Sequence, residues 1–274
     1  YNTTTGGVNT LIGVDAGYQI STDTNVVAIG YNAGAYLTAA VGARYNTLIG
    51  NNSGYQGGKG IHQTYLGANS GVYATGSYNT FVGSDAGKGG TTSAPFSSGQ
   101  YNTALGYQAL TAFTTGHSNV AIGYESADTL TTGYGNTFLG FRAGIQVTTG
   151  YYNIAIGHGA LGDGGGTSGY HNIALGANAG MDISSGTNNI VIGYNAGDAM
   201  TDTTTTILIG SFAGSAINST DANGTVAIGY YAGSSITSGQ NSVAVGYQAG
   251  NALTTGDYNT MVGYQAGDGI TTGN

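Results

Sequence analysis

Four histidines, His62, His117, His158 and His171, are the side chains of this 274-residue chain best suited to metal binding or proton transfer near neutral pH. No two of them lie close in sequence with an acid beside them, so neither a metal-ligand spacing nor a nucleophile–base pair is written here. There is no cysteine, which removes a thiol nucleophile, a disulfide framework and a zinc knuckle. The run Asp163-Gly164-Gly165-Gly166 stands alone, whereas calcium-binding β-rolls need Gly-Gly-x-Gly-x-Asp in ladders. Fixed positive charge is limited to Arg44, Lys59, Lys88 and Arg142 against a net charge of −8, too little to build a groove for nucleic acid phosphates. No apolar run approaches membrane-spanning length, so no membrane insertion is expected. These residues predict no catalytic set, no metal and no cofactor: the chain reads as not an enzyme.

What recurs instead is asparagine, threonine, tyrosine and glycine in one phrase, Asn-Thr-x-Ile-Gly-x-x-Ala-Gly, recognisable at residues 102–110, 153–161, 172–180, 189–197 and 259–267. Its central glycine occurs fifteen times, and nine of the fourteen gaps between copies are 17 residues. A period this short leaves room for one small unit per copy, stacked on its neighbours. Gly106, Gly123, Gly140, Gly157, Gly193, Gly246 and Gly263 are among these predicted turn glycines. The fold class expected is all-β: a parallel β-roll or β-solenoid of about fifteen 17-residue coils, forming one repeat domain over 1–274. The chain opens at Tyr1-Asn2-Thr3 inside a repeat and closes at Thr271-Thr272-Gly273-Asn274, so a segment of a longer fibrous protein is expected.

Aligned on the central glycine, the columns divide the labour. The residue one before it is always aliphatic, and the residue three before it is always Thr, Val or Ile. Their period of two makes them one face of a short strand, which we expect to point into the coil. The column between them never carries a charge or an amide, so its opposite face also looks dry. That second face, including Leu48, Phe81, Ala121, Phe138, Ala155, Ala174 and Leu208, is the expected inter-chain stripe, because a contiguous apolar patch marks an interface. A loop of the same chain covering it is the other reading.

Three residues after the central glycine stands Ala or Ser, then glycine in twelve copies, with Leu110, Ala127 and Leu161 in its place elsewhere. Glycine supplies positive φ there. Seven residues after it an apolar column returns (Ile20, Leu37, Phe113, Leu130 and others), expected on a second strand facing the first. Asparagine four before the central glycine recurs in ten copies. It reads as an amide ladder that also satisfies turn backbone, or as a ligand-binding column.

Asn241-Ser-Val-Ala-Val-Gly246 and Asn119-Val-Ala-Ile-Gly123 resemble the repeats of trimeric autotransporter adhesin heads, and Thr254-Thr-Gly-Asp-Tyr-Asn-Thr-Met-Val-Gly-Tyr-Gln-Ala-Gly267 resembles repeats of phage tail-fibre proteins. The resemblance covers essentially the whole chain. It implies a left-handed β-roll, three chains around one axis, and attachment to a cell or host surface. It further implies an extracellular place, on a virion tail fibre or a cell surface. Two features depart from it: the 17-residue period, and the tyrosine that often follows the central glycine. The partners it implies are copies of the chain itself, with a surface glycan or protein receptor. Four insertions interrupt the period, near 39–44, 88–100, 162–171 and 218–224, and loops on a rigid scaffold carry function. Arg44, Pro95, Phe96, Tyr170 and His171 are therefore the candidate receptor contacts. Two alternatives stand beside attachment: an ice-binding solenoid using the Thr-Thr columns, and a purely structural extracellular filament subunit.

Overall fold

The computed structural model describes residues 7–20, 23–37, 44–56, 60–93, 96–162, 165 and 168–273. Pro95 lies outside them. The chain forms two compact units, Tyr1–Gly135 and Asn136–Asn274, with the repeat running through both.

Each repeat forms one three-residue strand at the columns anticipated from the sequence. The first unit holds β1 (Thr10–Ile12), β2 (Val27–Ile29), β3 (Thr47–Ile49), β4 (Thr64–Leu66), β5 (Thr80–Val82), β6 (Thr103–Leu105) and β7 (Val120–Ile122). The second holds β8 (Thr137–Leu139), β9 (Ile154–Ile156), β10 (Ile173–Leu175), β11 (Ile190–Ile192), β12 (Ile207–Ile209), β13 (Val226–Ile228), β14 (Val243–Val245) and β15 (Thr260–Val262). Within each unit consecutive strands pair in parallel and in register, so a column in sequence is a column in space: Ile173 lies beside Ile190, and Ala174 beside Val191. This is a β-solenoid of 17-residue coils. A single turn of 3-10 helix, Thr220–Ala222, fills the fourth insertion.

The strand faces are the reverse of the expectation. Leu48, Phe81, Ala121, Phe138, Ala155, Ala174 and Leu208 do not form a surface stripe; each is wholly buried inside its own coil. The flanking columns, expected inside, point outward, as the burial pattern of β9 shows, with Ile154 and Ile156 exposed and Ala155 buried. The cause is volume. A coil closed by 17 residues has a thin interior, already lined by the Ala column (Ala109, Ala143, Ala179) and the returning apolar column (Phe113, Val147, Ile183). The middle strand position, alanine in many copies, fits between these walls; two branched side chains per coil do not.

The second strand is also absent among the described residues: the apolar return column is buried except for Ile270, but it stands at the end of a run of turns and not in a strand. Three positions per coil take the left-handed conformation. In the coil of β6 they are Tyr101 at φ 58°, Gln108 at 54° and Leu110 at 56°. Such φ values roll the chain into successive turns rather than extending it. Hydrogen bonds between coils continue through those turns, as when Gly17 N donates to Ala33 O at 2.9 Å and Thr114 N to Thr131 O at 2.8 Å.

The central glycines sit at φ from 129° at Gly13 to 140° at Gly140, a region closed to other residues. A Cβ on Gly140 would stand 2.5 Å from the carbonyl oxygen of Gly157 in the next coil. The coils pass so closely here that only glycine fits.

Candidate functional site

Two surfaces follow from this arrangement: the outward face of the strands, and the aromatic rows beside it. In the second unit the outward face carries Ile154, Ile156, Ile173, Leu175, Ile190 and Ile192 and continues in kind to β15, with no charged residue in either column. At the parallel-strand spacing the eight strands stack to about 34 Å, with about 7 Å between the two columns. Leu139 is 42 % exposed and Ile156 38 %. In the first unit the column three before the glycine is richer in threonine, with Thr47, Thr64, Thr80 and Thr103 in four consecutive strands.

Aromatic side chains flank the strands in sequence and stack from coil to coil. Following the central glycine, Tyr107 stacks on Tyr124 with centroids 5.4 Å apart, Phe141 on His158 at 5.0 Å, and Tyr230 on Tyr247 and Tyr247 on Tyr264, both at 5.4 Å. Preceding the strand, Tyr45, His62, Tyr78 and Tyr101 form a second row, with interplanar angles of 13°, 10° and 5°. Three of the four histidines (His62, His117 and His158) thus sit in stacked aromatic pairs, and no group of three His, Cys, Asp or Glu able to hold a metal gathers among the described residues. Among the described residues no helix is long and apolar enough to cross a membrane.

The asparagine column is internal. Asn102 Oδ1 accepts the N–H of Asn119 at 3.0 Å, and Asn102 Nδ2 donates to Gly116 O at 2.9 Å. Carboxamide-to-carboxamide bonds join some copies, as from Asn189 Nδ2 to Asn172 Oδ1 at 3.0 Å. From Asn46 to Asn189 the column is buried, which leaves it no surface for a ligand there. Where threonine or serine replaces the amide, the hydroxyl takes over: Thr225 Oγ1 donates to Gly239 O at 3.1 Å, and Ser242 Oγ both donates to Gly256 O at 3.3 Å and accepts from Asn259 N at 3.2 Å.

The candidate contact residues are separated. Arg44 is exposed in the first unit and bridges Thr24. Phe96 stacks on Tyr73 at 6.0 Å, tying the long insertion to the coil beneath it. In the second unit Tyr170 stacks on Tyr151 at 4.7 Å and His171 meets Tyr170 edge-on at 5.3 Å, so both belong to an aromatic row. The Thr-Thr turns are partly spent as donors: Thr114, Thr237 and Thr254 each give their hydroxyl to a carbonyl of the following coil.

Four ionisable groups are perturbed, the first being Tyr55, raised by a side-chain hydrogen bond with Tyr36 and by burial. Burial pushes the Tyr65 phenol far up. Burial also raises Asp128, partly offset by a hydrogen bond with Thr111 and reinforced by Glu125. Asp198 is raised for the same first reason, with hydrogen bonds from backbone N–H groups opposing and Asp182 adding to the shift.

Neither protein-family models nor curated proteins match this chain.

Proposed function

We propose that this chain is a structural fibre segment that assembles with copies of itself through the outward strand face and serves in attachment to a cell or host surface. The observation that carries this reading is the outward pair of columns, uncharged in all fifteen strands and aliphatic at the position before every central glycine. A contiguous apolar face of this height is far longer than the scattered apolar residues a monomer leaves in water. A second copy covers it with a matching face, since the columns repeat at the same spacing on every copy. Three copies around one axis is the arrangement that the resemblance to adhesin heads and tail fibres implies. An extracellular place, and a receptor that is a surface glycan or protein, come with the same resemblance.

The test is mass in solution by light scattering. The wild-type chain is expected at a multiple of 27.2 kDa, three being the favoured number, and Ile156→Glu with Ile192→Glu at the monomer mass with an unchanged far-ultraviolet spectrum. A monomeric wild type overturns the reading.

One observation favours ice binding as a second reading. Four consecutive ranks, Thr47 with Ile49, Thr64 with Leu66, Thr80 with Val82 and Thr103 with Leu105, face outward on a parallel sheet. Strong thermal hysteresis from the purified chain, abolished by Thr64→Lys, would favour it over attachment.

A further inference from the structure

The first four coils carry a feature that the later coils lack. Two residues after the central glycine stand Asp15, Asn32, Asn52 and Asn69, and five or six after it stand Tyr18, Tyr36, Tyr55 and Tyr73. No later coil has tyrosine at either of those last positions. The acid and three amides are all left-handed, at φ from 54° to 56°, so they share one edge of the solenoid.

The amides are tied in line. Asn32 Nδ2 donates to Asn52 Oδ1 and Asn52 Nδ2 to Asn69 Oδ1, both at 3.2 Å. A carboxamide has two N–H bonds and two acceptor lone pairs. At Asn52 the line uses one of each and leaves one of each for a ligand. Beside it, Tyr36 and Tyr55 meet edge to face at 4.9 Å. Two open hollows lie along this edge, one of about 330 Å³ at Asp15, Tyr18 and Tyr36, the other of about 430 Å³ at Asn52, Tyr55 and Tyr73. Both are lined by Asn32, so they run on as one groove. Its far end is closed by Lys88, which is paired with Asp85 at 3.2 Å.

We propose that this groove binds a neutral, linear oligosaccharide, its pyranose rings laid against the tyrosines and its hydroxyls bonded to the asparagine line. A sugar hydroxyl both donates and accepts, as a carboxamide does, and a tyrosine ring gives rigid amphipathic area to the apolar face of a pyranose. A pyranose is about as long as one coil is tall, so successive sugars meet successive Asn–Tyr pairs. Charge excludes the rivals. Among the described residues the one cation lining the groove, Lys88, is already paired, which leaves nothing there to hold the phosphates of a nucleic acid or the carboxylates of an acidic glycan. The inference rests on the attachment reading for its biological sense, while binding in the groove does not depend on assembly.

The experiment titrates the full chain with neutral hexasaccharides of glucose, mannose and galactose, their disaccharides, and oligogalacturonate as the charged comparator. At least one neutral hexasaccharide is expected to bind, more tightly than its disaccharide and than the acidic probe. Tyr55→Ala and Asn52→Gly should each weaken it at least tenfold; glycine keeps the φ of 54° while removing the amide. Tyr247→Ala, in an aromatic row of the second unit, should leave it unchanged. Far-ultraviolet spectra confirm that each variant is folded. No binding of any neutral hexasaccharide, equal binding of the acidic probe, or equal loss in Tyr247→Ala overturns the proposal. An assembled chain that binds no sugar sinks the groove alone; a monomer that binds sinks the assembly alone.

Discussion

Asn153 Oδ1 accepts the backbone N–H of Asn172 at 3.0 Å, while its own Nδ2 donates to Gly169 O at 2.8 Å. One side chain therefore satisfies two backbone groups of the next coil, both out of reach of water. Asn153→Ala leaves both buried groups unpaired and is expected to cost about 2–6 kcal/mol, at about 1–3 kcal/mol for each unsatisfied group. Asn153→Thr should cost less, since Thr225 already serves the equivalent carbonyl in its coil. Denaturant midpoints of the two variants check the order.

Gly140 and Gly263 share a backbone conformation but not surroundings. A Cβ on Gly140 strikes the next coil, whereas on Gly263 it meets nothing closer than 3.9 Å. Gly263→Ala should cost only the backbone strain, about 1–3 kcal/mol. Gly140→Ala adds the collision and should lower the thermal midpoint substantially further.

The burial of the middle strand column gives an opposite result for adjacent residues. Ala121→Lys and Ala155→Lys place a charge inside a coil, where burial without a partner is prohibitive. Both are expected to unfold the coil and yield insoluble or protease-sensitive chain. Ile122→Lys and Ile156→Lys, one residue on and facing outward, should stay folded. Limited proteolysis distinguishes the pairs.

Asp128 has a folded pKa raised by burial above its ordinary value near 3.9. A carboxyl group with a raised folded pKa holds its proton more tightly folded than unfolded. Its stabilising share is therefore full below the unfolded pKa and is lost as pH rises through the folded one. Asp128→Asn should then be more stable than wild type at neutral pH, with the advantage shrinking as pH falls towards 4. Melting temperatures at several pH values read the difference. Asp198→Asn should behave likewise.

The period and the strand position were legible because each is a column repeated fifteen times. Which strand face was inside was not. Alternation at period two says that Ala155 and Ile156 face opposite ways; when both sides are apolar, it does not say which is in. The deciding signal is volume: where leucine or alanine replaces glycine four after the centre, at Leu110, Ala127 and Leu161, the strand's middle residue is alanine, at Ala104, Ala121 and Ala155. Large residues there need glycine beneath them, as Phe138 needs Gly144, where a Cβ would stand 2.6 Å from its ring. The missing second strand was hidden differently. Gln108, Arg142 and Phe212 give no sequence hint that their φ is positive, yet those angles turn an extended return into consecutive turns. The groove at Asn52 and Tyr55 was overlooked because it is made by departures from the repeat, and aligning columns averages departures away.

One strand per coil, bonded only to the coil before and the coil after, makes each unit a graduated ruler. Each 17-residue mark adds about 4.8 Å along the stack. Excising residues 107–123 joins Gly106 to Tyr124 and restores the same phrase, with every remaining bond of the same kind. Unequal recombination between copies can therefore lengthen or shorten such a chain by whole marks, and reach can be selected without redesigning the coil.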